Sequence, residues 1–369
     1  RHAKLSMNVD VFNPNLGILP QNFNINLNFE ATGNDMKPYF IRDIKIDPPI
    51  TLAPMEGVTN IIFRRLIRQI GGTGLTCTEF IPSSALSNKG KKVLRLAEFD
   101  PEERPISIQI YGKDPTEMAE SAAILQDLGA SIVDINMGCP SKQVCAHSGG
   151  SALMKDPDLA IAIVKAVRKA INIPLTVKMR SGFDHSNKNA PELAYRCQEE
   201  GAEAIAVHWR TREDKYGGIQ EWDTIAEVKR RLSVPVIGNG DVIDVPSAMM
   251  MFEKTNCDGV MVGRGSMKNP WCMLEITNHL RGIPYQKPTR EEKRDLMLLF
   301  LNTYYERIQR EKSALGKFKQ IAKYFVDALP DAKTFRKDLL RSQSIETASE
   351  VIHTYFSTIP STPETVIEP

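Results

Sequence analysis

Ile132-Val133-Asp134-Ile135-Asn136-Met137-Gly138-Cys139-Pro140 sets a short apolar run directly before a Gly-Cys-Pro turn. A run of this kind, bounded by turn formers, reads as a buried strand. The turn that follows puts an amide, Asn136, and a thiol, Cys139, at the strand's end. Glycine admits unusual backbone angles there, and proline stiffens the residue after the thiol. A glycine-bearing loop, Ser148-Gly149-Gly150-Ser151, follows closely. A cysteine in this setting reads as a reagent rather than core filler.

Outward from this strand the pattern repeats. Between Pro49 and about Arg281, β-like runs at 50–53, 75–79, 106–111, 132–136, 175–179, 204–208, 234–238 and 259–263 alternate with helical patterns. The amphipathic stretches lie at 115–128, 158–170, 190–200, 223–231 and 245–254. This many strand–helix units in one domain's length predict a (β/α)₈ barrel, an α/β fold of the TIM type. A doubly wound sheet is the alternative. It fits less well because polar residues recur after nearly every strand, as one ring of loops requires, instead of gathering at a single switch point. Beyond Gly282-Ile283-Pro284 the strand signals stop, and 290–310, 314–328, 332–340 and 345–356 read as helices. The expected plan is an arm at 1–46, poorly ordered or wrapping, the barrel at 47–282, an all-helical domain at 283–357 and an irregular tail at 358–369.

The 369 residues are 42% hydrophobic and 25% charged with a formal net charge of +2, so any nucleic-acid footprint must be local. Six cysteines without paired spacing fit a reducing cytosol better than a disulfide framework. No apolar run approaches a membrane span, and the Asn-rich start lacks the compact apolar segment of a signal peptide. Between Lys287 and Arg341 basic residues outnumber acidic ones, with Lys317, Lys319 and Lys323 at near-helical spacing. Taken alone, such a run reads as a solvated helix face.

The strand ends carry the chemistry. Gly238-Asn239-Gly240-Asp241 and Gly263-Arg264-Gly265-Ser266 end the last two strands, where barrels commonly bind a phosphate. Glycines let backbone N–H groups approach the anion, and Arg264 adds a charged fork. A Rossmann reading fails because the third glycine is missing. Ala53-Pro54-Met55-Glu56-Gly57 follows the first strand, Gln109 lies on the third, Lys178 and Arg180 end the fifth, and His208 ends the sixth. A lysine inside Leu175-Thr176-Val177-Lys178-Met179 is costly to bury without an anionic partner. His208 or Gln109 alone would suit a hydrogen-bonded core. Cys139, Cys145 and His147 are close in sequence, but their spacing is not a zinc pattern and no fourth ligand is evident, so no metal is expected.

This ordered set resembles the tRNA-dihydrouridine synthase family, from about Pro49 to Leu340. The elements are Ala53–Thr59, Gln109, Asn136 through Lys142, Gly149 through Met154, Val177 through Arg180, His208 and the two glycine turns. The resemblance implies an FMN-containing barrel with a helical domain, in the cytoplasm, reducing the C5–C6 bond of uridine in tRNA with NADPH. Pro54, Met55 and Glu56 would line the flavin. Gln109 would bond the isoalloxazine edge, Lys178 would sit near N1 and O2, and His208 would also touch the cofactor. Asn239, Gly240, Asp241, Gly263 and Arg264 would enclose its phosphate. Cys139 would be the general acid, with Asn136 and Arg180 placing the substrate base. Asn60 stands where many relatives carry Asp, the arm lies outside the resemblance, and Cys145 is an extra thiol in the loop of Cys139.

The implied chemistry is self-consistent. A cation at Lys178 would stabilise the negative charge of a reduced flavin. A thiol serves as an acid only while protonated, so no strong base should pair with Cys139. The base must leave its stack to enter a barrel mouth. Affinity for RNA would come from Lys and Arg on phosphates, the candidates being Lys89, Lys91, Lys92 and the carboxy-terminal helices. No protein partner is evident. The competing readings are an FMN barrel reducing a small molecule, such as a dihydroorotate dehydrogenase or ene-reductase relative, and an RNA-binding protein with a vestigial pocket.

Overall fold

The computed structural model describes residues 37–87, 91–141, 144–145, 149–215, 217–327, 329–360 and 366–367. Eight parallel strands form a closed ring: β1 (Ile50–Leu52), β2 (Leu75–Cys77), β3 (Ile106–Tyr111), β4 (Ile132–Met137), β5 (Leu175–Arg180), β6 (Ala204–His208), β7 (Val236–Asn239) and β8 (Gly259–Val262). β8 returns to β1 through Val262 opposite Leu52, and β2 meets β3 through Cys77 opposite Ser107. The (β/α)₈ barrel read from the sequence is the observed fold.

The helices alternate with the strands as α1 (Ile61–Ile70), α2 (Pro115–Asp127), α3 (Pro157–Ala170), α4 (Ala190–Glu199), α5 (Asp223–Arg231), α6 (Val245–Thr255) and α7 (Cys272–Leu280). Their starts are written in the sequence. In α2, α3, α4 and α6 a proline occupies the first turn, where its missing N–H costs nothing. Asp114, Asp156 and Asp244 cap three of these helices by accepting from otherwise orphaned amides.

Strand alternation sorts the core into two shells. Val133, Ile135 and Met137 of β4 face outward into the apolar layer between strands and helices. The inward set is graded from bottom to mouth. At the bottom, Tyr39, Ile41 and Ile46 pack on Leu75, Ile132, Ala204 and Ile237. Those first three residues belong to an antiparallel hairpin, Tyr39–Ile41 with Ile44–Ile46, so the last part of the expected arm is an ordered plug. Residues 1–36 lie outside the described residues. Above the plug, Thr51, Cys77, Ser107, Asp134, Thr176 and Ala206 line an internal cavity of about 20 Å³.

After α7 come α8 (Arg290–Ile308), α9 (Glu311–Ala322), α10 (Ala332–Arg341) and α11 (Ile345–Thr358). The helix expected over 314–328 ends at Ala322, because the chain turns and lays Phe325 on Phe300 with ring centroids 5.4 Å apart. Phe300 also meets Phe63 of α1 edge-on at 6.3 Å, which joins the helical region to the barrel's outer core. Arg307 pairs with Glu98 at 2.6 Å across the same junction. Beneath it lies a fully buried pair, Arg64 and Glu103, 2.7 Å apart, whose guanidinium also donates to the carbonyls of Thr59 and Glu98. Removing one member of such a pair costs about 3–5 kcal/mol, since the other charge is left buried alone. Among the described residues, no helix is long and apolar enough to cross a membrane.

Candidate active site

The next-to-last residue of β4 is Asn136, whose Oδ1 accepts from the backbone N–H groups of Gly138 and Cys139, both at 2.9 Å. The turn therefore folds back onto the side chain that precedes it, as Asn commonly directs. The carbonyl of Cys139 is held in turn by Ser151, through its N–H at 3.1 Å and its hydroxyl at 2.9 Å. Gly150, at φ 59°, has to be glycine: a Cβ there would stand 2.9 Å from the Cys139 carbonyl oxygen. Cys145 also aims its sulfur at that carbonyl, at 3.6 Å.

Burial raises the Cys139 thiol above its ordinary pKa, and the nearby Glu56 carboxylate pushes the same way, against the Ser141 N–H and Arg180. The thiol therefore stays protonated at neutral pH, as an acid must. His147 lies outside the described residues.

The amides behind the thiol are mutually bonded. Asn136 Nδ2 donates to Gln109 Oε1 at 2.7 Å, and Gln109 Nε2 donates to Asp134 Oδ2 at 2.6 Å. Asp134 Oδ1 accepts from the Thr176 hydroxyl at 2.5 Å. Gln109 is fully buried, so its amide lies behind the mouth instead of lining it openly. Burial raises the pKa of Asp134, against the hydrogen bonds of Gln109 and Thr176 and the field of Lys178.

On the adjoining strand, in register with Asn136, Lys178 Nζ donates to Asn239 Oδ1 at 2.9 Å, and Asn239 Nδ2 donates to the Met261 carbonyl at 2.8 Å. The amine thus bonds a neutral amide. Burial, with the field of Arg180, brings its pKa down to about 8. His208 beside it is held well below its usual value by burial and by Lys178, Arg180, Arg210 and Arg264, so it is neutral at pH 7.

At the ends of β6 to β8, Asp241 bridges two guanidinium groups, Arg210 at 2.7 Å and Arg264 at 2.9 Å. Gly240 sits at φ 114°, where a Cβ would come within 2.5 Å of the His208 and Trp209 rings. Arg180, expected to place substrate, is buried and donates to the Gly138 carbonyl at 2.7 Å and the Thr211 carbonyl at 2.7 Å. It ties the Cys139 turn to the loop after β6. On the first loop, Gly57 N–H donates to Glu79 at 2.5 Å, beside Pro54, Met55 and the exposed Glu56.

The mouth therefore gathers Pro54, Met55, Glu56, Gln109, Asn136, Cys139, Lys178, Arg180, His208, Asn239, Gly240, Asp241, Gly263 and Arg264 at one end of the barrel. Sequence reading did not single out Asp134, Thr176, Ser151 or Arg210. The period-2 spacing of Asp134 to Asn136 and of Thr176 to Lys178 was the available signal. Of the proposed basic footprint, Lys319 donates to the carbonyls of Leu340 and Ser342 and so closes the end of α10. Lys317 is exposed and its field acts on Glu79 at the mouth. Lys89 and the side chains of Lys91 and Lys92 lie outside the described residues.

The donors of this mouth suit an anionic ligand rich in hydrogen-bond acceptors. A buried amine bonded to a neutral amide seeks an anionic partner, and a neutral imidazole stands beside it, with two guanidinium groups acting on that imidazole.

Residues 51–359 match the family described as dihydrouridine synthase. The chain is 39% identical over 267 residues to a probable tRNA-dihydrouridine synthase of Rhodobacter capsulatus, covering 72% of this chain and 81% of that one. It is 37% identical over 310 residues to tRNA-dihydrouridine synthase B of Pseudomonas aeruginosa, covering 84% and 92%. With a probable tRNA-dihydrouridine synthase 1 of Synechocystis it shares 36% over 326 residues, covering 87% and 90%. Among solved structures, a 2-naphthoyl-CoA reductase complex superposes with a TM-score of 0.53 at 14% identity, covering 67% of this chain and 52% of that one, a likeness of fold alone.

Proposed function

The chain belongs to the dihydrouridine synthase family, and on that premise we propose that it reduces uridines of tRNA to 5,6-dihydrouridine, with FMN as bound cofactor and NADPH as reductant. The observation that carries this reading is the meeting, at one barrel mouth, of a thiol kept protonated by burial and a buried amine that lacks a bonded carboxylate.

When bound, the flavin supplies hydride to C6 of the uracil ring. Cys139 Sγ–H would deliver the proton to C5. The thiolate left behind regains its proton from solvent at neutral pH because its pKa is raised. Lys178 would hold the electron-rich edge of the cofactor, with the amide of Asn239 beside it and that of Gln109 backing the site from one layer behind. The donors around Gly240, Gly263 and Arg264 would enclose its phosphate. Asp241 contributes by fixing Arg210 and Arg264 in place, since a carboxylate cannot itself donate to a phosphate. Pro54, Met55 and Glu56 wall the first loop. Asn136 and Arg180 act on the substrate by setting the Cys139 turn, which both of them bond.

Residues 47–282 form the catalytic unit and 283–357 the RNA-binding unit, with Lys317 close enough to the mouth to act on Glu79. Enzyme and tRNA meet in the cytoplasm. The test is to incubate purified protein with unmodified tRNA and NADPH and to map dihydrouridine by mass spectrometry. New dihydrouridine at defined positions supports the proposal. A protein that carries flavin, oxidises NADPH and leaves tRNA unchanged overturns it in favour of a small-molecule reductase.

A further inference from the structure

The thiol turn is anchored to a buried carboxylate that lies one layer below it. Thr176 donates to Asp134, Asp134 accepts from Gln109, Gln109 accepts from Asn136, and Asn136 accepts from the N–H groups of Gly138 and Cys139. Each link is between 2.5 and 2.9 Å. Amide side chains have a donor end and an acceptor end of nearly the same shape, so packing alone fixes neither orientation. We propose that Asp134 is a positioning residue that sets the orientation of both amides and thereby holds the backbone of Cys139 in its reactive place. The proposal rests on the proton-donor reading of Cys139, but its test requires no turnover.

The direction of the chain follows from the acceptor at its foot. Facing Asp134, the Gln109 amide must present Nε2 downward, which leaves Oε1 for Asn136. Asn136 must then present Nδ2 to Gln109, which leaves Oδ1 for the two backbone donors. Without an acceptor at 134, Gln109 can turn over and bring its NH₂ group against that of Asn136. Asn136 then turns too, and its NH₂ faces the N–H groups it formerly accepted. Two buried donors at the base of the catalytic turn lose their partner.

An asparagine at 134 carries no charge and has two unlike ends, and the two backbone N–H donors at the top of the chain select the turn of it that keeps the chain's direction. Its Oδ1 accepts from Gln109, while its Nδ2 donates to Thr176, whose hydroxyl serves as donor or acceptor equally. The orientation role and a counter-ion role toward Lys178 therefore separate: Asp134→Asn keeps the first and loses the second.

The experiment is amide hydrogen exchange at Gly138 and Cys139 in the cofactor-free protein, for wild type, Asp134→Asn, Asp134→Ala and Gln109→Met. Asp134→Ala should speed exchange at these two sites by about tenfold, the equilibrium weight of one buried hydrogen bond. Asp134→Asn should stay within about threefold of wild type by the same measure. Gln109→Met cuts the chain in the middle and should match Asp134→Ala, with the double variant no worse than either single one. If Asp134→Ala fails to fold, Gln109→Met alone carries the test. Unchanged protection in Gln109→Met, or Asp134→Asn as damaging as Asp134→Ala, overturns the proposal.

Discussion

Asn60 Nδ2 donates to the hydroxyl of Tyr304 at 2.9 Å, so the residue that caps α1 also fastens the barrel to α8. Its Oδ1 meanwhile accepts from the N–H groups of Ile62 and Phe63 at 3.0 and 3.2 Å. One side chain thus starts a helix and closes a junction 244 positions apart in sequence.

Asn60→Ala should cost about 2–4 kcal/mol, the sum of a lost cap and a buried hydroxyl left without a partner. Asn60→Asp should stay within about 1 kcal/mol of wild type, because the carboxylate still caps and the Tyr304 hydroxyl can turn to donate. Urea unfolding of the two variants measures this. Equal losses in both would mean the junction needs the amide's own donor.

Cys139 should react as a buried, protonated thiol. In a Cys145→Ser background, its alkylation rate should rise with pH through a midpoint above the ordinary thiol value of about 8.5, since burial and Glu56 both raise it. Replacing Glu56 with glutamine should lower that midpoint. A midpoint below neutrality would identify a nucleophilic thiolate and exclude the acid role.

Lys178 sets a pH limit on cofactor binding. Its pKa falls from 10.5 to about 8 in the folded chain. Between these two values the unfolded chain binds more protons, so the cofactor-free protein gains stability as pH rises across that window. An anionic ligand favours the charged amine, so affinity for FMN should be level below about pH 8 and fall above it, by up to about tenfold per pH unit. Fluorescence titration gives the profile. Lys178→Met should bind more weakly and lose this limb, and an identical limb in that variant would remove Lys178 from the site.

Gly240→Ala should lose flavin before it loses its fold. The backbone at φ 114° and the 2.5 Å approach to the His208 and Trp209 rings leave no room for a methyl group. The strain is about 1–3 kcal/mol, below the stability of most domains of this size. Purified Gly240→Ala should show native circular dichroism with little bound FMN. Full flavin content would place the phosphate elsewhere.

The barrel was legible because its strands are short apolar runs that stop at polar residues. Lys178 and His208 stood out for a related reason: each is polar at the mouth end of an otherwise apolar strand. The hairpin Tyr39–Ile41 with Ile44–Ile46 left no such trace, since its strands are too short for a period and its purpose is to close a barrel bottom built far downstream. Arg210 was passed over because its meaning comes from Asp241 on another strand's loop. Asp134 sat in plain view within β4, but only the inward layer shared with Gln109 and Thr176 shows what it holds.

The most direct test of the account is the Cys139→Ala variant, assayed for bound FMN, for reduction by NADPH and for dihydrouridine formed in unmodified tRNA. The account predicts normal flavin content and normal reduction, with dihydrouridine lowered by about a hundredfold or more, the usual weight of a general acid. Wild-type dihydrouridine yield from that variant would contradict it.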